Sequence, residues 1–262
     1  MIRLLIISFC LGVQAVSAQS DFSLLKTWKA KGTELISVDR LGNFLLIDKA
    51  GRIVRYNEEG KKIAASPRQV ATLVEPWFQP TVFVYNRKNQ TYTLWDRNFE
   101  TRTAYAVDAA WAIEPWLVCP THDNRLWLLD KADWSLKKIM PGTGQVIQEF
   151  TLNLPDSNVE FIYMREYLNF VFLLDIKNGV SIYNHLGTRI EQLAAPNLKG
   201  IYFFGDEFYI LQHGTLRYFN LLTSQWREHA VPANTAQAII TDERLLTLSS
   251  NNVVSLYKYT PE

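Results

Sequence analysis

The residues best suited to chemistry in this sequence come as two matched segments. Val74-Glu75-Pro76-Trp77-Phe78-Gln79-Pro80-Thr81 recurs as Ile113-Glu114-Pro115-Trp116-Leu117-Val118-Cys119-Pro120-Thr121, with an offset of 39 residues between the Glu-Pro-Trp triplets. Two tryptophans can stack on a sugar or a peptide, and two glutamates can accept hydrogen bonds from it. Glu75, Trp77, Glu114 and Trp116 are therefore the candidate ligand-binding residues. Two carboxylates at a defined separation are also what cleavage of a glycosidic bond requires. The structural alternative is that proline marks a strand entry and tryptophan fills a wedge of core.

The remaining candidates are weaker. His122, His185, His213 and His229 are scattered, and none has a His or Cys at metal-ligand spacing, so neither a metal nor a cofactor is expected. Cys119 lies between Val118 and Pro120 in an apolar stretch with no neighbouring charge to activate it, which reads as a buried, inert thiol. No G-x-S-x-G, P-loop or G-x-G-x-x-G occurs. Asp123, beside His122, reads as hairpin chemistry. Trp28, Trp111 and Trp127 are expected in the core. Trp134 and Trp226 fall close to turns, where tryptophan can instead serve as an exposed anchor for a partner protein.

The elements that must position these residues repeat along the chain. Six short apolar runs each end at a polar residue: FLLID (44–48), VFVYN (82–86), LWLLD (126–130), VFLLD (171–175), FYILQ (208–212) and LLTLS (245–249). The terminal polar positions are 38, 44, 45, 37 and 37 residues apart. Each run is rich in β-branched and aromatic residues and is bounded by turn chemistry, so it reads as a strand. Continuous apolarity means that both of its faces are covered. A more polar strand follows each run, an acidic turn such as Asp123-Asn124 or Glu166-Tyr167 precedes most of them, and further apolar strands flank the unit. Four strands in ~40 residues, repeated six times without helix, predict an all-β, six-bladed β-propeller of four-stranded antiparallel blades. The sixth unit runs out after three strands, while Phe22 to Trp28 is a strand with no unit of its own. Pairing the two closes the ring and removes an exposed edge.

The N-terminal MIRLLIISFCLGVQAVSAQS has a basic Arg3, an apolar stretch and a Val16-Ser17-Ala18 cleavage pattern. It reads as a signal peptide over residues 1–18, ahead of a single propeller domain over 19–262. That apolar run is too short to span a bilayer, and no later segment is long enough either. Without residues 1–18 the chain has 26 basic and 26 acidic residues, which argues against nucleic-acid binding.

The stretches DNRLWLLDKADWSLKKI (123–139), VFLLDIKNGVSIYNHLGTRI (171–190) and GDEFYILQHGTLRYFNL (205–221) resemble exported β-propellers of Bacteroidetes-type Gram-negative bacteria, loosely related to the WD40/NHL-like superfamily. Trp95-Asp96 is the only Trp-Asp pair, so the likeness to WD40 repeats proper is partial. The resemblance implies a periplasmic or outer-membrane-associated interaction module and no reaction. The leading expectation is a non-enzymatic scaffold for another envelope protein. The alternative is a glycan- or peptide-binding propeller with its cleft at the channel mouth, and the third is a hydrolase or lyase using channel carboxylates.

Overall fold

The computed structural model describes residues 21–30, 33–76, 80–154 and 158–259. The first twenty residues, which carry the whole signal pattern, and Trp77 lie outside them. Blade 1 is built from β2 (Glu34–Val38), β3 (Phe44–Ile47), β4 (Ile53–Tyr56) and β5 (Lys62–Ala65), after β1 (Phe22–Lys29). Blade 2 comprises β6 (Leu73–Glu75), β7 (Thr81–Asn86), β8 (Thr91–Asp96) and β9 (Arg102–Ala106). Blade 3 comprises β10 (Pro115–Pro120), β11 (Leu126–Asp130), β12 (Ser135–Met140) and β13 (Gln145–Thr151). Blade 4 follows with β14 (Phe161–Tyr167), β15 (Phe170–Asp175), β16 (Gly179–Asn184) and β17 (Arg189–Ala194). Blade 5 has β18 (Tyr202–Phe204), β19 (Glu207–Gln212), β20 (Thr215–Asn220) and β21 (Trp226–Ala230).

Blade 6 contributes β22 (Thr235–Ile240), β23 (Arg244–Ser249) and β24 (Val253–Tyr259), and β1 completes it as the outermost strand. The chain is thus an all-β, six-bladed propeller of four-stranded antiparallel blades, closed as the spare strand predicts. Phe22 pairs with Tyr259 and Lys29 with Val253 across that closure.

The six apolar runs are the second strands of the blades, and their alternation explains why they read as continuous. Phe83 and Tyr85 of β7 face the core shared with blade 3, whereas Val82 and Val84 face the core shared with blade 1. In β15, Val171 and Leu173 point toward blade 3, and Phe172 and Leu174 point toward blade 5. A two-residue side-chain period in a strand covered on both sides places every residue in a core.

The strand order gives the disc two faces. The lower face carries the turns between first and second and between third and fourth strands of each blade. The upper face carries the turns between second and third strands and the crossings from blade to blade. Asx turns recur at both: on the lower face the Asn184 side chain accepts from the Leu186 and Thr188 amides, and on the upper face Asp48 accepts from those of Ala50 and Arg52.

Asp130, at the upper end of β11, holds four connections of this kind. It accepts from the backbone N–H groups of Ile113, Glu114 and Ala132 and from Lys137 Nζ at 3.2 Å. Burial works against its charge, but the Glu114, Ile113 and Ala132 amides and Lys137 outweigh it and hold the carboxyl below the usual carboxylate value. A folded value below the unfolded one stabilises fully above about pH 4, and the contribution is lost as pH falls through the folded value. Asp130→Ala should therefore cost about 3 kcal/mol at neutral pH, because it strands two crossing amides and leaves Lys137 only the exposed Glu149 carboxylate at 3.6 Å. Thermal melts at pH 7 and pH 3 check this: the gap between wild type and variant should narrow in acid.

Candidate functional site

The central channel is where the matched Glu-Pro-Trp segments were expected to meet. The innermost strands show that the segments are not structural equivalents. Glu75 pairs with Phe83, Cys119 with Trp127 and Arg165 with Phe172. Each partner lies three residues before its blade's polar landmark (Asn86, Asp130 and Asp175), so Glu75 is equivalent to Cys119 and Arg165. Glu114 precedes β10 and lies at the upper end of its strand, while Glu75 ends β6 toward the lower face. The structure therefore does not bring the two carboxylates together.

Glu75 is instead engaged inside the ring. It forms an ion pair with Arg165 Nε at 3.1 Å that links blades 2 and 4 past blade 3, with both side chains almost fully buried. The Arg165 guanidinium also lies over the rings of Phe203 at 4.6 Å and Tyr167 at 5.5 Å. Burial opposes the Arg165 charge, but Glu75 and then Tyr163 outweigh it, so the guanidinium is held more firmly protonated than usual. Cys119 sits in the same layer. Burial, reinforced by Glu166 and Glu75, pushes its thiol well up, which makes it a poor nucleophile. On the upper side of this layer a cavity of about 180 Å³ is lined by residues including Glu34, Leu73, Tyr163, Lys199 and Tyr202.

Trp116 has an occupation of its own. The register of β10 shifts between Pro115 and Leu117, so Trp116 sits in a bulge, which re-aims a side chain. Its Nε1 donates to the Phe161 carbonyl of blade 4 at 2.7 Å. Arg87 of blade 2 lies 3.6 Å from its ring centroid and Lys131 lies 4.0 Å away. The ring thus ties three blades together and already carries two cations of the protein itself. Glu114 is half exposed and pairs with Lys131 at 3.6 Å. Trp134 is partly buried, edge-on to Phe161 at 5.5 Å. Trp226 is exposed at the start of β21, against Phe219 and Phe208 and beneath Arg217.

The densest polar cluster lies on the lower face, in a cleft of about 500 Å³ between blades 3 and 4. The first turn of blade 3 supplies His122, Asp123 and Arg125, and the end of β14 supplies Glu166. Glu166 Oε1 accepts from His122 Nδ1 at 2.5 Å, Oε2 accepts from Trp127 Nε1 at 2.6 Å, and Lys138 Nζ lies 3.5 Å away. Lys138 and Arg125 also pair with Asp123, at 3.3 and 2.9 Å. The Glu166 side chain is only 4% exposed and the His122 side chain is 52% exposed. The buried carboxylate thereby fixes the ring orientation of an open imidazole, with Nδ1–H as the donor and Nε2 the remaining polar atom. Among the described residues no Ser or Cys lines the cleft, and no group of three or more His, Cys, Asp or Glu is placed to hold a metal.

Sequence reasoning saw Glu166-Tyr167 as a turn, whereas both residues belong to β14 and the turn is Leu168-Asn169. That turn is unusual. Leu168 and Asn169 both have left-handed backbones, with φ 48° and 66°, as a two-residue primed hairpin requires. Blade 5 builds the equivalent turn with Gly205, φ 57°, at the first position. Leucine there costs roughly 1–2 kcal/mol of backbone strain relative to glycine, yet its side chain is 44% exposed. The lower face also carries Leu186 (70% exposed) and Leu222 (71% exposed), each at the tip of an Asx turn.

No protein-family model matches the chain, and no curated protein matches it in sequence. Solved structures do match across most of its length. The WD40 domain of Neurospora crassa Pan2 is similar with a TM-score of 0.62 at 8% identity, covering 92% of this chain and 96% of that one. BamB from Moraxella catarrhalis gives 0.50 at 10% identity, covering 91% and 100%. A catalytically inactive H270A virginiamycin B lyase from Staphylococcus aureus, solved with quinupristin, gives 0.55 at 12% identity, covering 88% and 82%. At these identities the likeness establishes the fold: the chain has the β-propeller architecture shared by WD40 domains and BamB. No helix among the described residues is long and apolar enough to cross a membrane.

Proposed function

We propose that this chain is a non-enzymatic, exported propeller that acts as a protein-interaction scaffold in the periplasm or at the outer membrane, with its docking surface on the lower face of blades 3 to 5. The observation that carries this reading is Leu168. An apolar side chain held exposed on strained backbone, where the next blade uses glycine, is retained at a cost to the fold. Leu186, Leu222 and Trp226 extend the same face with the residue types of an interface core. The N-terminal signal pattern supports export.

Leu168→Gly separates docking from folding. It should leave thermal stability unchanged or raise it by about 1 kcal/mol, while a partner retained by the wild type through affinity purification from the native envelope is lost. Retention of that partner by Leu168→Gly and by Leu222→Asn would refute the docking face. Cell fractionation with N-terminal sequencing tests export, and the mature chain should begin at Gln19.

A further inference from the structure

We propose that the cleft between blades 3 and 4 binds a carboxylate-bearing side chain of an extended acidic peptide, with a neighbouring apolar side chain of that peptide resting on the cleft rim. This rests on the docking reading and gives it a chemistry.

The charges in the cleft are arranged by depth. Glu166 is buried beneath it, whereas His122 and Arg125 (36% exposed) reach into the open. Glu166 is the buried carboxylate and fixes His122 and Lys138, Asp123 (29% exposed) holds Arg125 and Lys138 from the side, and the N–H groups that the cleft offers outward are those Arg125 keeps beyond its bond to Asp123. The bond from Arg125 Nη1 to Asp123 uses one corner of a guanidinium that has five N–H donors. The Lys138 ammonium, which also lies 5.4 Å from the Trp127 ring centroid, is held between Asp123 and Glu166, which offset its charge, so the guanidinium of Arg125 is the group left to meet an incoming anion. Gln148 Nε2 donates to the His185 carbonyl and so ties β13 to the third turn of blade 4 across the outer end of the cleft. Donors held in place before binding lose little freedom on capturing an anion, which favours affinity. A carboxylate is the matching ligand, because a guanidinium takes two oxygens at once.

The rim selects a peptide over a free anion. Ile147 lines the cleft, Leu168 adjoins the cleft residue Asn169, and Leu186 adjoins His185. All three are exposed. A polar floor with an aliphatic rim suits a chain in which acidic and apolar side chains alternate, as they do along an extended strand.

The test uses the whole protein and a fluorescein-labelled Glu-Leu-Glu-Leu-Glu-Leu hexapeptide, read by fluorescence anisotropy. Gln-Leu and Lys-Leu hexapeptides and free glutarate serve as comparators. The acidic peptide should bind at least tenfold more tightly than either comparator peptide and more tightly than glutarate, and its affinity should fall as salt rises. Arg125→Gln should weaken it at least tenfold with unchanged thermal stability, and Leu168→Gly should weaken it several-fold. Arg52→Gln, on the upper face, should leave it unaltered. Equal binding of the Glu and Gln peptides, or full affinity in Arg125→Gln, would overturn the proposal. Glutarate binding as tightly as the peptide would also overturn it, in favour of a small-anion site. If Leu168→Gly releases the native partner while the acidic peptide fails to bind, the docking face stands and the carboxylate assignment falls.

Discussion

Replacing Glu75 with alanine is expected to lower unfolding stability by about 3–5 kcal/mol, because it leaves the Arg165 guanidinium buried without its counter-charge. For a domain of this size that corresponds to a fall in Tm of about 10 °C. Arg165→Met alone should cost a similar amount, since it strands the carboxylate instead. The double variant Glu75→Leu with Arg165→Met should recover most of the loss, as buried ion pairs replaced by apolar residues of similar volume often do. Denaturant unfolding of the wild type, Glu75→Leu, Arg165→Met and the double variant gives the coupling directly. Additive losses in the double variant would mean that the 3.1 Å pair does not act as a unit. In the same layer Glu75 is committed to Arg165, and Glu114 sits at the other end of its strand, so the two do not form the carboxylate pair that cleavage of a glycosidic bond requires.

A chain beginning at Ala30 is expected to be the least stable variant, by more than about 3 kcal/mol, and to aggregate. Such a chain loses the burial of Phe22, worth about 1.5–3 kcal/mol, and the stack of Trp28 on Tyr56 at 5.3 Å, worth about 0.5–1.5 kcal/mol. It also loses the bond from Lys26 Nζ to the Gly60 carbonyl, which fastens blade 6 to blade 1. The edge of β24 is then open to pairing with another molecule. A synthetic peptide of residues 21–30 added in trans should restore the melting temperature in a concentration-dependent way. A truncated chain that stays monomeric and melts within 2–3 °C of the full one would show that closure does not depend on β1.

The fold was readable because its second strands are buried on both sides. VFVYN and VFLLD announce themselves without an alternation that neighbouring loops could blur, and the spare N-terminal strand settles the closure by counting. The inner strands were less readable. Identical letters placed Glu75 opposite Glu114, but hydrogen-bond register with β7 and β11 places it opposite Cys119. Bulges at Trp116 and Ile162 and unequal spacings between blades move residues along the inner strands in ways that letter matching cannot follow. The lower-face cleft was hidden for another reason. His122 and Glu166 are 44 positions apart and meet only when blades 3 and 4 pack, so each looked like ordinary turn chemistry. Leu168 was the one available signal: an exposed apolar residue where a two-residue hairpin asks for glycine or asparagine.

The pairing of β1 with β24 also sets a timetable. Every other strand in the ring pairs with its neighbour in sequence, whereas Phe22 must find Tyr259. Bringing those ends together costs roughly 3 kcal/mol more in loop entropy than closing a ten-residue hairpin, so the ring can close only after the intervening blades have compacted the chain. β1 is the first of these strands to be synthesised, and it waits for the last. At about 5–20 residues per second the wait is roughly ten to fifty seconds. Through that interval the nascent chain displays one unpaired strand with Phe22 and Trp28 uncovered, and whatever shields that strand decides whether the disc forms or two unfinished chains pair with each other.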